Sequence, residues 1–131
     1  MIDYSNEIFN TVAKDLRSTY EGIRVVGEYV ETPTGFPTVT LDEIQNIPIH
    51  LDSAHGNKYA RVTYRSQIFC NGEGKRQEAR KILGTLDNAL IGIGLYMKTY
   101  TTTPTIYNSE VYCITVTHEA VIGADGTVYR D

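Results

Sequence analysis

Three stretches hold the residue types that chemistry usually needs. Gly72-Glu-Gly-Lys-Arg-Gln77 lies between a predicted strand and a predicted helix. Backbone amides at such a helix start, with Lys75 and Arg76 beside them, suit an anion. A dinucleotide loop, however, needs a third glycine where Gln77 stands, and a P-loop needs a Ser or Thr hydroxyl after its lysine. The stretch reads as a tight turn followed by a basic first helical turn. Cations there oppose the helix dipole, so they fit a partner better than the helix itself. His50-Leu-Asp-Ser-Ala-His55 offers two imidazoles and a carboxylate, but zinc also needs a framed site and an outer layer of oriented partners. These read as surface polar residues. Asp42 and Glu43 are adjacent, so their side chains diverge in regular structure and do not form an acid–base pair; they suit the start of a short helical turn. His118 reads as a structural histidine on a strand. Neither Cys70 nor Cys113 has a flanking motif that would free a thiolate. No catalytic site, no metal and no cofactor is expected.

Aromatic usage carries a different signal. Ten of the thirteen aromatic residues are tyrosine, three are phenylalanine, and tryptophan is absent. Tyrosine gives broad contact area with a polar handle, which interfaces favour. Tyr59, Tyr107 and Tyr129, with Phe36 in a Gly-Phe-Pro turn, are candidates for exposure, although half-buried tyrosines with wetted hydroxyls are common in cores.

The elements that must position these residues follow from periodicity. Ile8, Phe9, Val12, Leu16 and Tyr20 share one helical face, predicting an amphipathic helix over Ser5–Glu21 with Asp3 or Ser5 at its start and Gly22 after its end. Ile23–Val30 is β-branched and reads as a strand, and Thr38–Leu41 as a short extended run. Asp42–Asn57, with Pro48 and no sustained period, reads as an irregular exposed excursion. Lys58–Cys70 alternates Ala60, Val62, Tyr64, Ile68 and Cys70 against Tyr59, Arg61, Thr63, Arg65 and Gln67, as in a sheet with one solvated face. Lys75–Ile93 predicts a second helix whose core stripe is Ala79, Ile82, Leu83, Leu86, Ala89, Leu90 and Ile93. Strands follow at Leu95–Thr103, Glu110–Ile122 and, after an Asp-Gly turn, Thr127–Arg130. The order α-β-β-β-α-β-β-β predicts an α+β two-layer sandwich, a largely antiparallel or mixed sheet with two helices on one face.

Composition and charge set the remaining bounds. At 131 residues and 14.7 kDa the chain suits a single domain spanning 1–131. It has no run apolar enough to span a bilayer and no basic-then-apolar secretion signal at its start, so no membrane partner is expected. The net charge of −4 is a sum over unlike segments. Residues 1–57 hold three cations and nine anions, residues 58–98 eight and three, and residues 99–131 one and four. Net acidity disfavours general nucleic-acid binding and leaves room for a local basic face at Arg61, Arg65, Lys75 and Arg76.

Gly35-Phe-Pro-Thr-Val-Thr-Leu-Asp-Glu43, the turn-to-helix passage Asn71-Gly-Glu-Gly-Lys-Arg-Gln-Glu-Ala79 and the ending Gly126-Thr-Val-Tyr-Arg130 resemble, in order and place, the corresponding segments of tail-terminator and tail-completion proteins of long-tailed bacteriophages. The resemblance follows element order along nearly the whole chain. It implies a virion protein made in the host cytoplasm, a homo-oligomeric ring, typically a hexamer, that caps the tail tube, ends its growth and offers a surface to the head–tail connector. Its implied partners are further copies of itself, the tube protein, a connector or neck protein, and DNA passing through the lumen. Phe36, Arg61, Arg65, Lys75, Arg76, Tyr107 and Tyr129 are the candidate contact residues. Two other readings remain: a head-side completion or neck protein with the same layers, and a monomeric cytoplasmic domain that binds an anionic small molecule at Asn71–Gln77.

Overall fold

The computed structural model describes residues 3–28, 33, 35–49, 59–103, 111–123 and 128–129. Helix α1 spans Ser5–Thr19 and α2 spans Lys75–Ile93; the strands are β1 Arg24–Val26, β2 Thr38–Ile49, β3 Tyr59–Asn71, β4 Tyr96–Thr103, β5 Val111–Gly123 and β6 Val128–Tyr129. They form one open mixed sheet in the order β1-β2-β3-β5-β4, with β6 also paired to β5. Among the described strands only β1–β2 is parallel; β2–β3, β3–β5, β4–β5 and β5–β6 are antiparallel. Two helices on one face of this sheet make the α+β two-layer architecture that the periodicity predicts.

Each helix is amphipathic for the expected reason. Ile8, Val12, Ala13 and Leu16 of α1 and Ala79, Ile82, Leu86, Ala89 and Leu90 of α2 are buried, meeting Val39, Leu41, Val62, Tyr64, Ile68, Ile114, Val116 and Ile122 from the sheet. The Asp3 carboxylate accepts from the Ser5 amide at 3.0 Å, satisfying one orphan donor at the start of α1. At the far end of α2, Gly94 adopts φ 116°, and the amides of Gly94 and Leu95 both donate to the Leu90 carbonyl at 3.0 Å. That left-handed closure is open to glycine and strained for other residues. The hydroxyls of Tyr20 and Thr85 lie 2.9 Å apart and tie the helices together.

Three expectations are corrected. Asp42–Asn57 is not wholly an excursion, because β2 continues to Ile49 in register with β3, shifting only between Glu43 and Gln45. The period is hidden because this half of β2 has β3 on one side and, among the described residues, no strand on the other. Its outward positions therefore tolerate polar residues and Pro48 alike. No helical turn forms at Asp42–Glu43. The loop His50–His55 lies outside the described residues. The first strand is shorter than Ile23–Val30, with bends at Gly27 and Glu28. Finally, the sheet face away from the helices is not uniformly solvated. Thr63, Gln67 and Phe69 are buried there, and Phe69 joins Val111 and Cys113 in a second small apolar cluster.

Candidate assembly surface

The face of the sheet opposite the helices is built from alternate residues of four strands. Pairing places Asp42 beside Arg65 and Thr117, and Thr63 beside Gln45 and Glu119. Thr99 and Thr101 of β4 extend the rows past Thr117 and Thr115. An Arg65 guanidinium nitrogen sits 3.0 Å from the Asp42 carboxylate. Glu119 collects three neighbours: Lys98 at 2.9 Å, Arg61 at 3.4 Å and the Tyr96 hydroxyl, which donates at 3.2 Å. The Lys98 ammonium holds the Glu119 carboxyl below the usual carboxylate range, and Glu119 in turn raises Lys98.

This arrangement changes what the basic segment does. Strand β3 carries the arginines, and its neighbours β2 and β5 carry the acids that meet them. Charges segregated along the chain are thus interleaved across the sheet. Arg61 and Arg65 are pinned within the subunit rather than presented as a bare basic face.

The other candidates distribute differently. Lys75 is half-buried and Arg76 exposed at the start of α2, with the Arg76 guanidinium carbon 5.9 Å from the centre of the Tyr112 ring, within reach of a cation–π contact. Phe36 follows Gly35 in the predicted turn, but it is half-buried, covering the cluster of Phe69, Val111 and Cys113. An apolar ring beside an apolar patch packs onto it before it is available to anything else. Tyr59 is also half-buried. Tyr107 and the side chain of Tyr129 lie outside the described residues.

Sequence reasoning missed the large apolar residues that stay in solvent. Ile44, Ile47, Ile91 and Tyr100 are 44%, 45%, 40% and 53% exposed. Ile44 and Ile47 are on the outer half of β2, Tyr100 is on β4, and Ile91 is near the end of α2. No periodicity marks the first two, because the bulge of β2 falls at Ile44.

Further titratable groups are buried on both faces of the sheet. Cys70 and Cys113 form no disulfide with one another and are buried on opposite sheet faces, and burial pushes the Cys70 thiol up. His118 is wholly buried, with Nε2 2.8 Å from Asp87 Oδ1. Desolvation lowers its pKa more than Asp87 raises it. Burial, with Asp3 nearby, raises Glu43, whose carboxylate accepts from Asn46 at 3.2 Å. Among the described residues, no group of three or more His, Cys, Asp or Glu is placed to hold a metal ion, and no helix is long and apolar enough to cross a membrane.

Fold and surface together define a class: an open-sheet α+β domain with one helix-covered face, one largely polar face and two sheet edges that carry no further strand among the described residues. No protein-family model matches the chain, and no curated protein matches it. Among solved structures it is similar to the gp17 protein of bacteriophage SPP1, with a TM-score of 0.42 and 16% identity over 87% of this chain and 88% of that one. It is also similar to the PVC sheath/tube terminator of an extracellular contractile injection system in its extended state, with a TM-score of 0.46 and 13% identity over 95% of this chain. It spans 60% of that terminator's length.

Proposed function

We propose that the chain is a tail terminator: a single-domain subunit of a homo-oligomeric ring, a hexamer in the virion, that caps the tail tube and docks a connector or neck protein. The observation that carries this reading is the pair of open sheet edges bearing exposed Ile44, Ile47 and Tyr100. Apolar side chains held in water at strand edges suit contact with another chain. The order of sequence motifs along the chain supports the tail-terminator assignment specifically. Lys75 and Arg76 at the exposed start of α2, Phe36 beside the second apolar cluster, and Tyr107 and Tyr129 are proposed contacts with the tube or neck. Arg61 and Arg65 act in the subunit's own charge network, where they can also face DNA in a lumen. Tail assembly in extracts lacking this chain is the test. Addition of the purified protein is expected to restore tails of uniform length that join heads. Tails that reach normal length and join heads without it overturn the reading, and tails of normal length that fail only to join heads assign it to the neck instead.

A further inference from the structure

We propose that neighbouring copies in the ring join by continuing the sheet: the outer edge of β2 from Leu41 to Ile49 in one copy pairs antiparallel with β4, Tyr96–Thr103, of the next. This inference rests on the ring reading and names the surface that closes it.

Four observations converge on these two edges. β1 covers only Thr38–Thr40 of β2, so the nine residues from Leu41 onward have no described strand outside them, and the eight residues of β4 pair with β5 alone. A strand edge that no further strand covers offers backbone N–H and C=O groups as a template for another strand. Three of the four large apolar residues exposed among the described residues lie on these two edges: Ile44, Ile47 and Tyr100.

Strand sense also agrees. Three successive antiparallel pairings, β2–β3, β3–β5 and β5–β4, make β2 and β4 run in opposite directions. Rotation about an axis running along the strands preserves direction, so β4 of one copy meets β2 of the next antiparallel, the sense with the more favourable hydrogen bonds.

Charge selects unlike edges over like ones. Beside the β2 edge stand Glu43 and, from the start of α1, Asp3 and Glu7, close enough to act on Glu43 and Tyr64. On the β4 side stands Arg76 of α2, whose guanidinium lies over Tyr112 of β5, with Arg80 one turn further along the helix. Edges of the same kind would set like charges together, whereas head-to-tail contact sets acid against base. Because β1 blocks one end of the β2 edge, the new pair is staggered along the strand, as closure of a sheet into a ring requires.

Cross-linking tests this directly. In particles assembled from the chain carrying Ile47→Cys and Thr101→Cys, a short bismaleimide is expected to give a ladder of linked copies ending at the ring number. Both positions are exposed and face away from the helices, whereas the native Cys70 and Cys113 are buried. Each single variant is expected to stay unlinked. Linked dimers from a single variant show like edges meeting and overturn the proposal. Particles that contain the chain but give no ladder overturn the edge contact alone, whereas particles that lack the chain overturn the ring reading and the contact with it. A second variant needs no cross-linker: Ile44→Lys with Ile47→Lys keeps the folded spectrum and loses incorporation into particles. Its incorporation at the wild-type level refutes the contact.

Discussion

The His118–Asp87 pair gives the sharpest test of the packing beneath α2. Asp87 can only accept at neutral pH, so the His118 proton must sit on Nε2, which donates to Asp87 Oδ1 across 2.8 Å. Nδ1 is then a bare lone pair with no partner among the described residues. Asp87→Ala removes a hydrogen bond to a charged acceptor and leaves the second ring nitrogen unsatisfied as well. A bond of that type is worth roughly 1.5–3 kcal/mol. The Asp87 side chain is 26% exposed, so water reaches part of the vacated space and the expected loss is about 2 kcal/mol. In a domain of this size that lowers Tm by roughly 6–10 °C. Asp87→Asn keeps an acceptor and is expected to lose about half as much.

The pH dependence has a defined sign. The folded imidazole resists protonation because burial outweighs the carboxylate, while the unfolded one titrates near 6.5. The unfolded state therefore binds more protons below that pH, and the contribution to stability is lost as pH falls from about 6.5 through the lower folded value. In Asp87→Ala the folded ring titrates lower still, so its loss extends further into acid. Urea denaturation at pH 7.5, 6.5 and 5.5 measures both effects. A variant within about 0.5 kcal/mol of wild type, the range of ordinary surface changes, with an unchanged pH profile refutes the assignment of His118 as a buried neutral donor to Asp87.

Other expectations follow from the same structure. Leu86→Ala opens a cavity at a fully buried position and is expected to cost about 2–5 kcal/mol by denaturant melting. Gly74 precedes α2 at φ 74° with open space around it, so Gly74→Ala is expected to cost about 1 kcal/mol through backbone strain alone. Glu43 has a raised carboxyl pKa, so its contribution holds below about 4.5 and is lost as pH rises through the folded value. Glu43→Gln is therefore expected to stabilise the fold at pH 7 and not at pH 4, as thermal melts will show. Native protein is expected to resist thiol reagents and to react at both cysteines only on unfolding, since both are buried.

How much of this was legible in the sequence depended on how many neighbours each element has. The two helices were readable because each buries one stripe against one layer. Ser5 and Lys75 begin them and Ile93 ends the second as the pattern predicts. β3 was readable in its extent but only half readable in its faces. Its central position between β2 and β5 shelters Thr63 and Gln67 as well as Ile68, and a sequence cannot show lateral cover supplied by other strands. The outer half of β2 was invisible for the opposite reason. With one neighbour, neither parity has to be apolar, and a bulge at Ile44 breaks what alternation remains.

The charge segregation is where local reading and folded outcome diverge most instructively. A block of cations between two acidic blocks looks like a surface feature when laid out as a line. Antiparallel pairing turns sequence blocks into alternating strands, so a basic strand between acidic ones becomes a set of cross-strand pairs, Arg65 with Asp42 and Arg61 with Glu119. The charges of Arg61, Arg65, Lys98, Asp42 and Glu119 on the strands are spent inside the subunit, whereas the sheet engages few of the helix charges, Asp87 with His118 among them. The polarity left for other chains is therefore that of the two lateral flanks, acidic where the start of α1 nears β2 and basic where Arg76 and Arg80 of α2 stand beside Tyr112 of β5. A subunit polarised across its width, with an open strand at each side, is suited to repetition around an axis rather than to a two-fold pair. Reversing the basic flank with Arg76→Glu and Arg80→Glu, both exposed on α2, is accordingly expected to leave the melting temperature nearly unchanged while weakening self-association. Sedimentation of assembled rings at low and high salt checks this, because turning an attraction into a repulsion makes added salt strengthen the contact instead of weakening it. Rings that persist with unchanged salt sensitivity would show that the flanks play no part in the contact.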